Sequence, residues 1–434
     1  MKIVPPWPYR AATAVTVPLA RALSAVSPGI AAAVRGRDSS QAAFAEFGRS
    51  GRGDAPLALV HAPSAGEWRQ AESVIRSLRA FHPGLRFAFT YTSPSARQVA
   101  AELKPEIHGF LPWDRPRDVA ALLDQLRPRI LIVTKLDLWP ELALQARARG
   151  IPIVIIAATV RPDSTRLQGP ARLILRSAYQ AVELALAVGP EDAVRLAALG
   201  VDSERISVVG DPRYDGVLER IAGQPDDPSP ELMVAGSTWP KDDRVLLAAF
   251  AQVRKRHPQA RLLLVPHRPS ERGIERIRRL AKKLRLPEPR ISRITEIGGR
   301  ERVEAPPLEV GNGVGPLAML YGRGALAYVG GGFGRRGLHS VLEPAAWGRP
   351  VIVGPNWRGS RDAEALKGVS ALTTLGWRKA SAEMAWHWSW LLENSRQWAQ
   401  LGAMAREVVS NGSGAANYIA GFVLEVLQKA EGRE

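Results

Sequence analysis

The 434 residues contain no cysteine, which excludes disulfides and any chemistry that needs a thiolate, redox or metal-binding. Histidine is sparse: seven are present, scattered and without the HxxH or HExxH spacing that builds a zinc site, so no metal is expected. Acidic residues are in deficit, with 42 Asp and Glu against 59 Lys and Arg and a formal net charge of +17. That imbalance implies an acidic partner, whether nucleic acid, an anionic membrane surface or a phosphorylated substrate. Arginine dominates the basic residues, as bidentate phosphate contacts favour and as a genome rich in G and C would also produce. The chain lacks sequence repeats, low-complexity tracts and the uninterrupted run of about 20 apolar residues that a spanning helix needs. Its apolar stretch at 11–34 is broken by Pro18, Arg21 and Pro28, and no convincing signal-peptide cleavage site follows it. With Trp7, Tyr9 and flanking basic residues, this stretch suits a segment lying in a membrane interface. The alternative is a helix packed on the first domain.

What the chain does have is length for two domains and enough hydrophobic residues, 46%, for two cores. Short runs of Val, Ile, Leu and Ala alternate with amphipathic helical stretches: PLALVHAP, LRFAFTY, ILIVTK and IPIVIIAATV in the first half, then ELMVAGST, ARLLLVP, GALAYV and RPVIVG. Strands that alternate with helices in this way form parallel sheets covered on both faces. Residues 221–230, IAGQPDDPSP, read as a linker because three prolines and two aspartates interrupt any apolar period. The expected division is an N-terminal interface segment at 1–40, a Rossmann-like domain at 41–220, the linker, a second Rossmann-like domain at 231–400, and C-terminal helices at 401–434. Open α/β sheets bind ligands at their C-terminal strand edges, so a cleft between two such edges is the expected site. Residues 291–312 read as irregular or as a short hairpin.

Four backbone signals converge in VGGGFGRRGLHSVLEPAAWGRPVIVGPN, residues 329–356. Gly330, Gly331 and Gly332 follow a strand, where glycines permit a tight turn and leave N–H groups able to approach an anion. HSVLEPAAWG reads as a helix with His339 and Glu343 on one face, stopped by Gly348. A helix N-terminus with Arg335 and Arg336 beside it favours a phosphate, and Glu343 could accept hydrogen bonds from ribose hydroxyls. A plain glycine turn with a solvated arginine pair is the competing reading.

Other strand ends carry the remaining candidates. Glu67, in SAGEW, follows Gly66, which would permit a tight turn; a partly desolvated Glu there could have its pKa raised and act as a general base. It could equally be a first-turn carboxylate stabilising its helix. Lys135 and Asp137 end ILIVTKLDLWP and could orient an acceptor or pair with each other. Ser93 lies in the loop after the second strand. Ser237 and Thr238 in VAGSTW could contact a phosphate or a sugar carboxylate, although helix capping by Thr238 or Asp242 explains part of that pattern. His267 and Arg268 form a candidate anion clamp at a further strand end.

Taken together, SAGE, LDLWP, GDPRYD, VAGSTW and VGGGFGRRGLHSVLEPAAWGRPVIVGPN, in this order over residues 55–365, resemble the 3-deoxy-D-manno-octulosonic acid (Kdo) transferase family of lipopolysaccharide synthesis. The resemblance implies an α/β GT-B fold: two doubly wound Rossmann-like domains facing a central cleft, with C-terminal helices. It also implies CMP-Kdo as donor, the phosphorylated, acylated disaccharide precursor of lipid A as acceptor, no metal or other cofactor, no nucleic-acid partner, and a place at the anionic cytoplasmic face of the inner membrane, peripheral or N-terminally anchored. By position, Glu67 matches the family's proposed general base and Asp137 an essential acidic residue that is usually Glu. Ser237, Thr238, Gly332, His339 and Glu343 match donor-binding motifs, and Gly313 and Gly315 in NGVGPL match a loop near the cytidine base. His267, Arg268, Arg335 and Arg336 are further donor-binding candidates, and Gly66, Arg69, Ser93 and Lys135 acceptor-binding candidates. The chain departs from the family pattern at Lys135, where Glu is usual, in the order His267-Arg268, in HSVLE for HNPLE, and at Asn312, where Asp is common. Two other readings share these features: a GT-B enzyme using a UDP-sugar, and a basic non-catalytic protein binding membrane or nucleic acid.

Overall fold

A computed structural model describes residues 7–297, 305–313, 315, 317–334 and 337–432. The chain divides into two compact units, 1–216 with 413–434 and 217–412.

The first unit holds β1 (Leu57–His61), β2 (Arg86–Tyr91), β3 (Ile107–Phe110), β4 (Ile130–Thr134), β5 (Ile153–Ala158), β6 (Leu184–Ala187) and β7 (Ile206–Val208). They pair in the order β3-β2-β1-β4-β5-β6-β7, every pair parallel. β1, β4 and β5 are buried along their whole length, which is why they read as unbroken aliphatic runs rather than alternating ones. Winding reverses between β1 and β4, where Leu59 faces Leu131. At such a switch point the connections leave to opposite faces of the sheet and open a crevice beyond the strands' C-terminal ends.

The second unit repeats the plan with β8 (Ser229–Thr238), β9 (Arg261–Pro266), β10 (Arg290–Arg293), β11 (Leu308–Asn312), β12 (Gly324–Val329), β13 (Val351–Val353) and β14 (Leu372–Thr374). The order is β10-β11-β9-β8-β12-β13-β14, again wholly parallel, with its switch point between β8 and β12. The hairpin considered for 291–312 is absent: β10 and β11 run parallel, with Arg290 opposite Glu309, a geometry that no tight turn can connect.

The boundary between the units differs from the expected one. It falls inside the helix Pro212–Ile221, not at 221–230, and the last helix, Ala415–Glu431, belongs to the first unit. Burial decides this. Ile419, Ala420, Val423 and Leu427 pack into the same core as Trp68, Val74 and Phe89, and Asp215 accepts the Gly414 and Ala416 N–H groups at 2.6 and 3.2 Å. Within the second unit, Asp226 of the proline-rich stretch is held by Arg349 and by Arg406.

At the N-terminus, helices Trp7–Leu23 and Pro28–Glu46 meet at a sharp bend. Among the described residues no single helix is long and apolar enough to cross a membrane, although Trp7–Leu23 with Pro28–Gly51, bent by 118°, passes the same test as a pair. Tyr9 donates to Asp114 at 2.5 Å, and Arg10 holds the buried Glu141 with two bonds of 2.9 and 3.0 Å. Val17 is buried, while Trp7, Val15, Leu19, Leu23 and Val26 remain exposed. Desolvation pushes Asp114 up to about 6, against hydrogen bonds from Tyr9 and from the Glu141 and Leu142 N–H groups.

Ile419→Ala, which empties a fully buried position of the last helix, is expected to cost about 2–5 kcal/mol. A urea melt followed by fluorescence of the first unit's tryptophans checks it; an unchanged midpoint would show the last helix to be dispensable to that core.

Candidate active site

Each switch point gathers side chains at the C-terminal ends of its strands. In the first unit, β1 ends at His61, and Ser64 precedes the helix Ala65–Phe81, whose first turn carries Glu67. Lys135 follows β4 directly, with its N–H on the Ile156 carbonyl at 2.8 Å and a left-handed φ of +61°. A non-glycine residue in that region costs on the order of 1–3 kcal/mol and persists where its surroundings demand it.

The demand here is an ion pair: the Lys135 Nζ lies 3.0 Å from Glu67 Oε1, and the Ser64 hydroxyl donates to Oε2. Burial alone would push the Glu67 carboxyl up. The Lys135 ammonium and the Ser64 hydrogen bond outweigh it and hold the group below its ordinary value. The raised pKa expected for a desolvated Glu67 is therefore not found, because Lys135 supplies the countercharge. Gly66 serves no tight turn either: it sits in the helix's first turn, and a Cβ there would meet only Ser64 Oγ at 3.8 Å.

Asp137 does not pair with Lys135. One of its oxygens meets the buried His61 Nε2 at 3.0 Å and Trp139 Nε1 at 3.4 Å, and Arg166 lies 3.7 Å from the other. His61 Nδ1 is 3.0 Å from Thr90 Oγ1 on β2, so the chain Thr90–His61–Asp137 ties three neighbouring strand ends together. Burial raises Asp137, but the bond and charge of His61, with Trp139 and Arg166, leave it lowered. The sequence reading passed over His61; its place at the end of a fully buried strand was the available signal. Ser93 shares a 2.9 Å hydroxyl contact with Ser95, whereas Arg69 binds Glu72 and Glu102.

The second unit's switch point brings the glycine run against β8. The Gly330 N–H bonds the Gly236 carbonyl, and the Gly331 N–H reaches the buried Asp242 at 3.1 Å. Asp242 also accepts the Trp239 N–H and the Tyr328 hydroxyl, at 2.8 and 2.7 Å. The glycines are thus required by the fold itself. Gly331 has φ +100°, and a Cβ on Gly332 would sit 2.6 Å from the Gly354 nitrogen. Ser237 is left-handed at φ +52°, and the Thr238 hydroxyl donates to Asp243 at 2.8 Å, with Arg276 on that carboxylate's other oxygen.

The expected helix from His339 to Gly348 is shorter than the sequence suggests, spanning Leu342–Ala346. Pro344 is the reason: it has no N–H to give a carbonyl four residues back and tolerates only the first turn. His339 therefore lies in the irregular segment before the helix and does not share a helical face with Glu343. Its ring meets Trp239 and His267, whereas Glu343 lies 4.0 Å from Arg220. Arg268 is exposed beside a small cavity lined by Thr238, Pro266, Ser270 and Arg276. Gly313 follows β11 with φ +114°, and Gly315 packs on Ile294. Arg335 and Arg336 lie outside the described residues.

With this geometry in hand, likeness to known proteins can be weighed. The family described as 3-Deoxy-D-manno-octulosonic-acid transferase (kdotransferase) matches residues 40–216. The chain is 29% identical to the 3-deoxy-D-manno-octulosonic acid transferase of Haemophilus influenzae, covering 68% of this chain and 70% of that one. It is also 29% identical to the Bordetella pertussis transferase of the same name, over 80% and 87%. The chain resembles the Kdo transferase family, most clearly over residues 40–216. These relatives are glycosyltransferases by name, and the two parallel seven-stranded sheets of this chain are the α/β GT-B fold. That fold is shared with the UDP-GlcNAc 2-epimerase of Neisseria meningitidis (TM-score 0.60, 13% identity, 86% of this chain and 100% of that one) and with a glycosyltransferase of Rickettsia africae (TM-score 0.56, 12% identity, 87% and 99%).

Gly332→Ala is expected to displace the glycine loop or to lower stability by about 1–3 kcal/mol, because its Cβ meets the backbone of Gly354, which cannot yield as a side chain would. Thermal melting checks it; a variant as stable as the parent would mean that the two loops separate freely.

Proposed function

We propose that this glycosyltransferase moves Kdo from CMP-Kdo to a hydroxyl of the lipid A precursor, lipid IVA, in lipopolysaccharide synthesis, with inversion at the anomeric carbon. The observation that carries the reading is the Glu67 carboxylate at the β1/β4 switch point, held ionised by Lys135 and Ser64. Glu67 takes the acceptor's hydroxyl proton, the new C–O bond forms as the anomeric C–O bond to phosphate breaks, and CMP leaves with the electron pair. A base held so low owes its effect to position more than to basicity. An acidic group of a substrate drawn to Lys135 would weaken its grip on Glu67 and make the carboxylate more basic at the moment it is needed.

Asp137, braced by His61, orients the acceptor beside Glu67, and Arg69, Ser93 and Lys135 line the approach of its phosphates. In the second unit Ser237, His339 and the Gly332 loop receive the nucleotide, with Arg268, Gly313 and Gly315 at its rim and Glu343 toward the ribose. No metal ion is assigned a step: the leaving phosphate is met by N–H donors and arginines. The exposed apolar row of the N-terminal helices would lie in the cytoplasmic face of the inner membrane, beside the acceptor's acyl chains.

Incubation with CMP-Kdo and lipid IVA, read by mass spectrometry, is expected to add Kdo; UDP-N-acetylglucosamine in its place is expected to add nothing. No added mass across several detergents would remove the assignment. Glu67→Gln is expected to lower kcat at least 100-fold, at the lower end of about 10²–10⁴ for a general base, while CMP binding by calorimetry stays within about twofold. The Lys135 countercharge also makes a signed prediction. It lowers the Glu67 pKa, and only the ionised carboxylate accepts a proton, so Lys135→Ala should move the acid limb of kcat/KM to higher pH. An acid limb that stays in place would separate Lys135 from the base.

A further inference from the structure

Trp239 is the residue that joins the loop after β8 to the segment leading into Leu342–Ala346, and it does so through an unusual bond. Its indole Nε1 lies 3.1 Å from His339 Nε2, and the two rings are nearly parallel, 10° apart with centroids at 6.4 Å. The indole N–H is directed at that imidazole nitrogen. An indole nitrogen only donates, so His339 Nε2 must accept, and the ring's single proton is on Nδ1. The imidazolium would set one N–H against another and break the bond. His267, from the loop after β9, lies across both rings, with centroids 4.3 Å from His339 and 5.0 Å from Trp239.

The surroundings favour the same state. Burial first, then the neighbouring His267, push His339 down to about 4. Among the described residues, the groups near it are His267 from the β9 loop and, bonded to the Gly331 N–H, Asp242, whose oxygens also accept from Tyr328 and Trp239. On its own segment Glu343 is turned to Arg220. The His339 backbone N–H is fixed on the Gly330 carbonyl at 3.2 Å, so the ring is tethered at both ends.

We propose that Trp239 is a positioning residue that locks His339 as the neutral Nδ1–H tautomer, making it an uncharged hydrogen-bond donor to an oxygen of the sugar nucleotide at the β8/β12 switch point. The substrate part of this inference rests on the donor-site reading above; the tautomer part rests on the protein alone. A fixed neutral donor differs from the arginines expected in this site: it adds direction without charge, and its strength does not change across the range where an ordinary histidine titrates, near pH 6.5.

The full chain, ¹⁵N-labelled at histidine, tests the lock by two-bond ¹H–¹⁵N correlation between pH 4.5 and 8, with His339→Gln assigning the signal. The expected result is one histidine that holds the Nδ1–H pattern from pH 8 down to about 5. In Trp239→Phe the same ring is expected to sample both tautomers and to titrate at least about one pH unit higher, toward the ordinary value. An imidazolium or Nε2–H pattern for His339 in the parent protein overturns the proposal, as does a Trp239→Phe spectrum identical to the parent's. If Trp239→Phe fails to fold, the parent spectrum still decides. His267→Ala then serves as the second variant, expected to raise the titration midpoint while leaving the Nδ1–H tautomer in place. Kinetically, Trp239→Phe is expected to raise KM for CMP-Kdo roughly fivefold, the factor for one ordinary hydrogen bond, with kcat changed less. A fall in kcat alone would contradict the donor role. Were the chain to transfer no Kdo, the kinetic arm would fail with the function while the spectra still settled the tautomer.

Discussion

Asp242 is the interaction on which the architecture of the second unit's switch point depends. A buried carboxylate is tolerated when its oxygens are hydrogen-bonded, and this one accepts the Trp239 N–H, the Gly331 N–H and the Tyr328 hydroxyl. Those three donors come from the loop after β8, the loop after β12 and β12 itself. One side chain therefore fixes two loops at the point where the sheet's winding reverses, and the ring arrangement of Trp239, His267 and His339 is built on that footing. Desolvation raises Asp242, so the same burial that makes the bonds strong also makes the group costly if any partner is lost.

The first unit solves the equivalent problem with charges instead of a shared carboxylate. Glu67 with Lys135, and Asp137 with Arg166, set opposite signs side by side at the ends of β1 and β4, with the His61 ring bonded to Asp137. Half-buried pairs of this kind are screened less than surface pairs. The two carboxylates are thus both held below their ordinary values yet differently: one by the lysine ammonium that follows β4, the other by a ring buried in the sheet.

Much of this was legible in the chain. Aliphatic runs marked the central strands, and strand-end positions marked Glu67, Asp137, Ser237 and the glycine run, because parallel sheets expose the ends and bury the rest. What failed was local. The four-residue spacing of His339 and Glu343 suggested one helical face, but Pro344 confines the helix to a point after His339. Proline content suggested a boundary at 221–230, yet burial of Ile419 and Val423 against Trp68, Val74 and Phe89 placed it elsewhere, and no local pattern reports a partner so far away in the chain. The charge on Glu67 was misjudged because desolvation was weighed without knowing that Lys135, 68 residues on, would face it. Trp239 carries no sequence signal, since a lone ring beside a strand says nothing until its partner is known.

The return of the last helix to the first unit also sets an order of assembly. Synthesis runs from the N-terminus, and domains generally fold as they emerge. The second unit is continuous between Val217 and Gly412 and can close as soon as it has left the ribosome. The first unit begins earlier but must wait, with the core over Trp68 and Val74 uncovered, until residues 415–431 follow the whole of the second unit. The half of the molecule that is made first is therefore the half that is finished last.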